Sequence, residues 1–165
     1  MEGLLPLLHL GSKATSTAIV VPFRGTFEHT LDAKNRLTVP VRYRKALGDG
    51  ALLAMPLDQK PCVAIWLPGE YDTYTQRAIE ELPPLSPKRS ELERFFFGNS
   101  QLVDLDAAGR IMLPAFLIDH AKLAKDVVVV GAGNRLELWG KGAWGEHQPA
   151  LLGRVADITA NVDVA

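Results

Sequence analysis

The sequence of 165 residues lacks the features that define several common classes of protein. Cys62 is its single cysteine, so no internal disulfide can form, and this usage suits a reducing compartment. No apolar run approaches the ~20 residues that a membrane-spanning helix needs. The formal net charge of -1 gives the chain no global attraction for a polyanion. Any contact with phosphate must therefore depend on cations that cluster locally.

The patterns of metal centres and of common enzymes are also missing. The 4 histidines are isolated and Cys62 has no cysteine partner, so no zinc-type spacing occurs. Gly131-Ala132-Gly133 lacks the third glycine and the following helix of a dinucleotide-binding loop, and a hairpin turn explains it. No serine lies in a nucleophile-elbow sequence. We therefore predict no catalytic residue, no metal site and no cofactor, and we predict that the protein is not an enzyme.

An internal repeat is the main positive feature. Residues 31–40, LDAKNRLTVP, return 74 positions later as residues 105–114, LDAAGRIMLP. A constant offset of this kind indicates a duplicated module, in which each half supplies the surface that the other cannot bury alone.

Each copy of the repeat begins with a predicted turn. Asp32 and Asp106 can accept hydrogen bonds from the backbone two residues on. Asn35 and Gly109 occupy the same place in the two copies, and they are the residue types that adopt left-handed backbone most readily. In the strand that follows, successive side chains are predicted to alternate between the two faces, with Arg36 facing outward, and residues 110–113 repeat this alternation.

Hydrophobic periodicity and turn residues predict the remaining elements. They predict an extended segment at 23–31, short helices at 40–47 and 114–122, strands at 52–55, 63–67, 127–130 and 136–139, and two connecting helices at about 70–82 and 86–98. The corresponding boundaries are a disordered extension at 1–22, a first module at 23–69, a helical connector at 70–99, a second module at 100–147 and a fraying tail at 148–165.

A cluster of cations follows the first turn. Five basic residues and no acidic residue occur between positions 34 and 45: Lys34, Arg36, Arg42, Arg44 and Lys45. A solvated helix face is the ordinary explanation of such a run. A nucleic-acid interface is favoured because Arg36 lies beside a tight turn and recurs as Arg110 in the second copy. The planar fork of arginine suits phosphate oxygens and the guanine edge, and a strand-and-turn element can enter the major groove.

The same residues resemble the MraZ family, bacterial transcription regulators built from two AbrB-like swapped-hairpin modules. The resemblance is carried by FRGTF at 23–27, LDAKNRLTVPVRYR at 31–44, RFFFG at 94–98, DAAGRIMLP at 106–114, VVVG at 128–131 and LELW at 136–139. It covers about residues 23–147, and the extension before Phe23 lies outside it.

This resemblance implies an α+β fold. The expected architecture is a duplicated AbrB-like swapped-hairpin β-barrel with a pseudo-two-fold axis inside one chain, short helices and a helical connector. The expected function is repression of the cell-division and cell-wall gene cluster by a homo-oligomeric ring, which binds repeated promoter boxes in double-stranded DNA. The implied location is the cytoplasm, in association with the nucleoid and not with a membrane. The family's DNA-contacting residues carry over to Lys34, Arg36 and Arg110, and Arg42 and Arg44 complete the predicted DNA-binding set.

The chain departs from the family pattern in the second copy and at one turn. Asn35 replaces the usual glycine, which the turn argument tolerates. Ile118 stands where the family often has arginine, whereas the first copy keeps Arg44. Ala108 stands where the first copy has Lys34. The second copy is therefore predicted to be electrostatically weaker and to serve more as a scaffold.

Two other functions remain open at this point. An AbrB-like antitoxin would neutralise a protein partner through a free segment, although the tail here is short and weakly patterned. A small enzyme could use Asp32 and Asp106 as a carboxylate dyad across the two-fold axis. Both aspartates are explained more simply as turn residues.

Overall fold

The computed structural model describes residues 22–48 and 50–163. The disorder predicted for residues 1–22 therefore concerns a segment that, except for Pro22, lies outside the described residues. The first copy contains β1 (Thr26–Thr30), β2 (Arg36–Thr38), α1 (Val41–Leu47), β3 (Gly50–Ala54) and β4 (Cys62–Trp66). The second contains β5 (Ser100–Asp104), β6 (Arg110–Met112), α4 (Ala115–Ala121), β7 (Asp126–Gly131) and β8 (Arg135–Gly140). Helices α2 (Pro68–Glu80) and α3 (Pro87–Gly98) connect them, and α5 (Lys141–Ile158) follows β8.

The two copies exchange strands with each other. Six strands form one antiparallel sheet in the order β1-β7-β8-β4-β3-β5, and β2 pairs with β6 in a separate two-stranded ribbon. Each copy thus adds its first strand to the β-hairpin of the other copy. If each strand is replaced by its counterpart in the other copy (β1 by β5, β2 by β6, β3 by β7, β4 by β8), the same strand order is read from the opposite edge of the sheet. A pseudo-two-fold axis therefore passes between β4 and β8 and between β2 and β6. The predicted α+β, duplicated, swapped-hairpin fold is confirmed.

The barrel-like enclosure is completed by packing and not by a continuous ring of hydrogen bonds. Among the described residues, the six-stranded sheet ends at β1 on one edge and at β5 on the other. The ribbon lies over one face of this sheet, because the inner residues of the ribbon share a core with inward residues of the sheet. That core includes Leu37, Val39, Ile111 and Leu113 from the ribbon region, and Leu53, Ile65, Val129 and Leu138 from the sheet.

Strand register follows the same pseudo-symmetry. Leu37 lies opposite Ile111 at the centre of the ribbon, and these two residues occupy the same position in the two copies of the repeat. Ala64 lies opposite Glu137 at the centre of the β4–β8 pair, at an offset of 73. The offset changes from 74 because the second copy has two more residues before β7 and three fewer in the hairpin that follows it.

A smaller aromatic cluster lies on the other face of the sheet. Helices α2 and α3 cover Trp66 there, and Tyr71 donates a hydrogen bond to the Phe96 carbonyl at 3.0 Å. The sequence predicts that residues 95–97 pack as core against the sheet. Phe96 does so with 1% of its surface exposed, whereas Phe97 is 54% exposed.

The C-terminal segment differs from its sequence expectation. Residues 148–165 are expected to fray, yet α5 runs without interruption from Lys141 to Ile158 and passes through Pro149. A proline inside a helix removes one backbone hydrogen bond. The helix nevertheless continues, and its apolar residues after the proline recur at helical spacing, at positions 151, 152, 155 and 158.

We predict that the centre of the ribbon dominates stability. Leu37→Ala removes a fully buried side chain and is expected to lower the free energy of unfolding by about 2–5 kcal/mol. The matched control is Leu102→Ala on edge strand β5, where the leucine is 66% exposed and the expected loss is below ~0.5 kcal/mol. Urea unfolding measures both, and equal losses would contradict the assigned core.

Candidate nucleic-acid interface

Two matching turns lie at the ends of the ribbon strands. In the first turn, Asp32 Oδ1 accepts hydrogen bonds from the backbone N–H groups of Lys34 and Arg36, both at 2.9 Å. In the second, Asp106 Oδ1 accepts from the backbone N–H groups of Ala108 and Arg110, again at 2.9 Å. The aspartates thus bind the turn backbone in the same way in both copies.

The backbone of both turns passes through the left-handed region. Asn35 has a φ of 57° and Gly109 has a φ of 77°. Each of these residues donates its N–H to the aspartate carbonyl at the start of its turn, at 3.0 and 2.9 Å. Asparagine and glycine adopt this conformation at lower cost than other residues, which explains why the two copies can form one turn with different residues.

Each aspartate also orients the arginine that opens the following strand. Arg36 Nε donates to Asp32 Oδ2 at 2.7 Å, and Arg110 Nε donates to Asp106 Oδ2 at 2.8 Å. The two arginine side chains remain 24% and 34% exposed. Within the described residues, neither guanidinium uses its Nη atoms in a hydrogen bond. Each can therefore offer four N–H donors to a ligand while its Nε is held.

Pairing in the ribbon sets both arginines on its outer face. Leu37 and Ile111 are fully buried on the inner face, so their neighbours along each strand point the other way. Arg36 lies opposite Met112, and Thr38 lies opposite Arg110, which puts the two guanidinium groups on a diagonal. The predicted alternation extends to Met112, but sequence reasoning did not count Met112 among the site residues. The signal was present, because Met112 occupies the repeat position of Thr38.

Arg44 crosses from the first copy to the second turn. Its Nε donates to the Val39 carbonyl at 2.8 Å, and its side chain lies against Gly109. A Cβ atom at Gly109 would overlap the Nε and Cζ atoms of Arg44. The sequence predicts that the second copy is electrostatically weaker, but this crossing gives the second turn a second cation. The first turn has Lys34 and Arg36, and the second has Arg44 and Arg110.

The other predicted DNA-binding residues differ in surroundings. Lys34 is exposed in the first turn. Arg42 is exposed as well, but its guanidinium carbon lies 4.8 Å from the ring centre of Phe27, in a cation–π contact with β1. The structure thus brings Lys34, Arg36, Arg44 and Arg110 to the ribbon and its turns, and sets Arg42 beside them against an aromatic ring.

Hydrogen bonding keeps both turn aspartates charged. The backbone N–H of Arg36 is the largest influence lowering the pKa of Asp32, and the side chain of Arg36 adds to it. The pKa of Asp106 is lowered in the same way by Arg110. A general acid needs a raised pKa, so this arrangement favours a structural role over a catalytic dyad.

Two further kinds of site concern the described part of the chain: a metal centre and a membrane-spanning helix. No group of three or more His, Cys, Asp or Glu side chains there could hold a metal ion. None of the helices described is long and apolar enough to cross a bilayer.

The duplicated arrangement agrees with a family model that matches the chain in two segments. The family model described as "MraZ protein, putative antitoxin-like" matches residues 23–91 and 96–151, which is most of the chain and both copies of the repeat. The chain belongs to the MraZ family. Its MraZ match begins at Phe23, so the first 22 residues lie before the matched segment.

Individual MraZ relatives give the same assignment. The chain is 34% identical to the transcriptional regulator MraZ of Hydrogenovibrio crunogenus over 133 residues, which cover 79% of this chain and 87% of the relative. It is 37% identical to the protein of the same name from Natranaerobius thermophilus over 126 residues, or 76% and 86% of the two chains. The Legionella pneumophila protein (strain Corby) is 34% identical over 140 residues, or 83% and 91%.

We predict that Gly109 is required because of both its backbone and Arg44. Gly109→Ala is expected to lower the free energy of unfolding by more than ~1 kcal/mol, since alanine is strained at this φ and its Cβ displaces Arg44. Asn35→Ala is the matched control for the backbone effect alone. If the contact matters, adding Arg44→Ala to the Gly109→Ala variant will restore part of the lost unfolding free energy, whereas adding Arg44→Ala to the Asn35→Ala variant will not. Chemical denaturation gives the free energy of unfolding of the single and double variants, and strictly additive losses for Gly109→Ala and Arg44→Ala would contradict the contact.

We also predict a pH dependence of the turns. Because the pKa of each aspartate is lower in the folded protein, its stabilising contribution is complete above the ordinary aspartate pKa. The contribution is lost as the pH falls through the lowered folded value. Carboxyl NMR titration of the wild-type protein should give both pKa values below the usual range.

The variant Arg36→Gln separates the two sites in that titration. It should raise the pKa of Asp32 and leave that of Asp106 unchanged, because each carboxylate is bound by its own arginine. Unshifted pKa values in the wild type would contradict the hydrogen-bond geometry.

Proposed function

We propose that this protein is a DNA-binding transcriptional regulator that inserts its β2–β6 ribbon into the major groove. The observation that carries the proposal is the pair of aspartate-oriented guanidinium groups on the outer face of that ribbon. The major groove is wide enough to admit a two-stranded ribbon, and arginine is the side chain that most often reads guanine there. The names of the MraZ relatives, which call them transcriptional regulators, support the same conclusion.

The four cations of the ribbon and its turns would contact different parts of the DNA. Arg36 and Arg110 have unused Nη donors near the pseudo-two-fold axis, which suits contact with base edges. Lys34 and Arg44, one beside each turn, suit the phosphates that flank the groove. Arg42 would adjoin this surface from its position over Phe27. Because the net charge is only -1, affinity depends on these local contacts, and each phosphate contact adds to the fall of affinity with rising salt.

Pseudo-symmetry supports binding to a duplex. A two-fold axis through the centre of the ribbon can coincide with a local two-fold axis of DNA, so each turn would face one strand. The ribbon strands have three residues each, so one chain reads only a few base pairs. We therefore infer a homo-oligomer that binds repeated promoter boxes. In keeping with the family resemblance, we propose a ring that represses the cell-division and cell-wall gene cluster and acts in the cytoplasm at the nucleoid.

Loss of either ribbon arginine should weaken binding. Arg36→Ala and Arg110→Ala are each expected to reduce affinity for the DNA upstream of this gene by roughly 5–150-fold, the value of one specific base contact. Arg94→Ala is the matched control, since that arginine is 70% exposed and ion-paired with Glu91 on α3. Fluorescence anisotropy at two salt concentrations measures all three proteins, with oligomer size checked in parallel. Unchanged affinity of Arg36→Ala at moderate salt would overturn the assigned surface.

Footprinting on the same DNA tests the arrangement of boxes. Protection should recur at intervals of about one helical turn, ~10 bp, if several subunits bind one face of the duplex. A single protected box, or none, would contradict binding by an oligomer to repeated sites.

A further inference from the structure

Met112 is an exposed apolar residue on the outer face of the ribbon. Its exposed fraction is 55%, and it belongs to neither hydrophobic cluster of the described residues. The first copy has Thr38 at the same position of the repeat, and Thr38 is half-buried. Single apolar side chains on a protein surface are ordinary. Met112 is distinguished by its neighbours, because it lies on the face that carries both of the oriented arginines.

Strand register puts Met112 directly beside Arg36. These two residues are cross-strand partners at one end of the ribbon, and Thr38 and Arg110 are the partners at the other end. Cross-strand partners on one face of a sheet have Cβ atoms about 4.5–5.5 Å apart, so their side chains project into the same space. Each end of the ribbon therefore presents one guanidinium and one uncharged neighbour.

The uncharged neighbours differ in what they can contact. Methionine has no hydrogen-bond donor and only a weakly accepting sulfur, so Met112 competes little for the Nη donors of Arg36. Its unbranched, polarizable side chain adapts to irregular apolar surfaces. Thr38 carries a hydroxyl, which both donates and accepts hydrogen bonds. The Arg36 end of the ribbon is therefore selective for an apolar group, whereas the Arg110 end is not.

The major groove displays one apolar group that fits this end. Guanine, cytosine and adenine present hydrogen-bond donors and acceptors there, and thymine adds its 5-methyl group. The guanidinium fork fits guanine O6 and N7. The side chains of Arg36 and Met112 are thus complementary to a guanine with a thymine beside it.

We infer that Met112 determines specificity by contacting the 5-methyl group of a thymine next to the guanine that Arg36 reads. This inference rests on the proposed function and deepens it, since the ribbon must lie in the major groove for Met112 to reach a base. Two pseudo-symmetric arginines alone do not distinguish the two ends of a box. Met112 distinguishes them, because Thr38 occupies its place at the other end.

Replacement of single thymines by deoxyuridine tests the contact, because it removes the 5-methyl group and keeps the base pairing. The probe is a protected box from the DNA upstream of this gene, with each thymine replaced in turn. One replacement beside a guanine should reduce the affinity of the wild-type protein by ~4-fold, the value of one buried methyl group. Fluorescence anisotropy measures the affinity for each probe.

The variant Met112→Gln identifies the residue that contacts the methyl group. Glutamine keeps the length and the unbranched form of methionine, and the position is exposed, so the ribbon should stay folded. The variant should bind the thymine and deoxyuridine probes equally. Leu102→Gln is the matched control, because this leucine is 66% exposed on edge strand β5, and that variant should keep the wild-type difference between probes. Circular dichroism verifies that both variants are folded.

The outcomes separate this inference from the proposed function. If no single replacement weakens binding, or if Met112→Gln keeps the dependence on the methyl group, the inference is wrong. The ribbon assignment still stands in that case, provided that Arg36→Ala weakens binding. If Arg36→Ala binds the box as tightly as the wild type does, the ribbon assignment is wrong and the role of Met112 is wrong with it.

Discussion

The contact between Leu37 and Ile111 across the pseudo-two-fold axis is the constraint on which the rest of the molecule depends. These two fully buried residues join the short ribbon to the core, and each comes from a different copy of the repeat. A single copy would leave this apolar face open and would leave its β-hairpin without the strand that the other copy adds. The duplicated halves therefore form one cooperative unit, and the ribbon belongs to both.

The turns orient one arginine at the start of each ribbon strand, above that shared core. A flexible arginine loses conformational entropy when it binds, and an arginine already held by its Nε loses less. Asp32 and Asp106 provide this hold without burying either guanidinium completely. The aspartates also reduce the local positive charge, so the field of these cations acts mainly at short range. Under the proposed function, such a surface suits selective contact in a groove better than nonspecific attachment to phosphate.

Departures from symmetry make the surfaces of the two copies different. Arg44 reaches the second turn, whereas its counterpart Ile118 has no guanidinium to offer to the first. The exposed Met112 occupies the place of Thr38 on the ribbon. Helix α3 covers α2, and no helix within residues 22–48 and 50–163 covers α5 in the same way. One pseudo-symmetric framework thus carries a nearly balanced pair of basic turns at the ribbon and a strongly unequal pair of helical faces elsewhere.

Local sequence alone determined the turns, the alternation in β2 and β6, the helical connector and the duplication, because hydrogen bonding and side-chain period act over a few residues. The resemblance to a family added the exchange of strands. Tertiary structure alone decided that Arg44 would meet Gly109 and that α5 would continue past Pro149. Those outcomes depend on which distant segments come together, and an apolar period in the sequence predicts a buried face without revealing whether anything covers it.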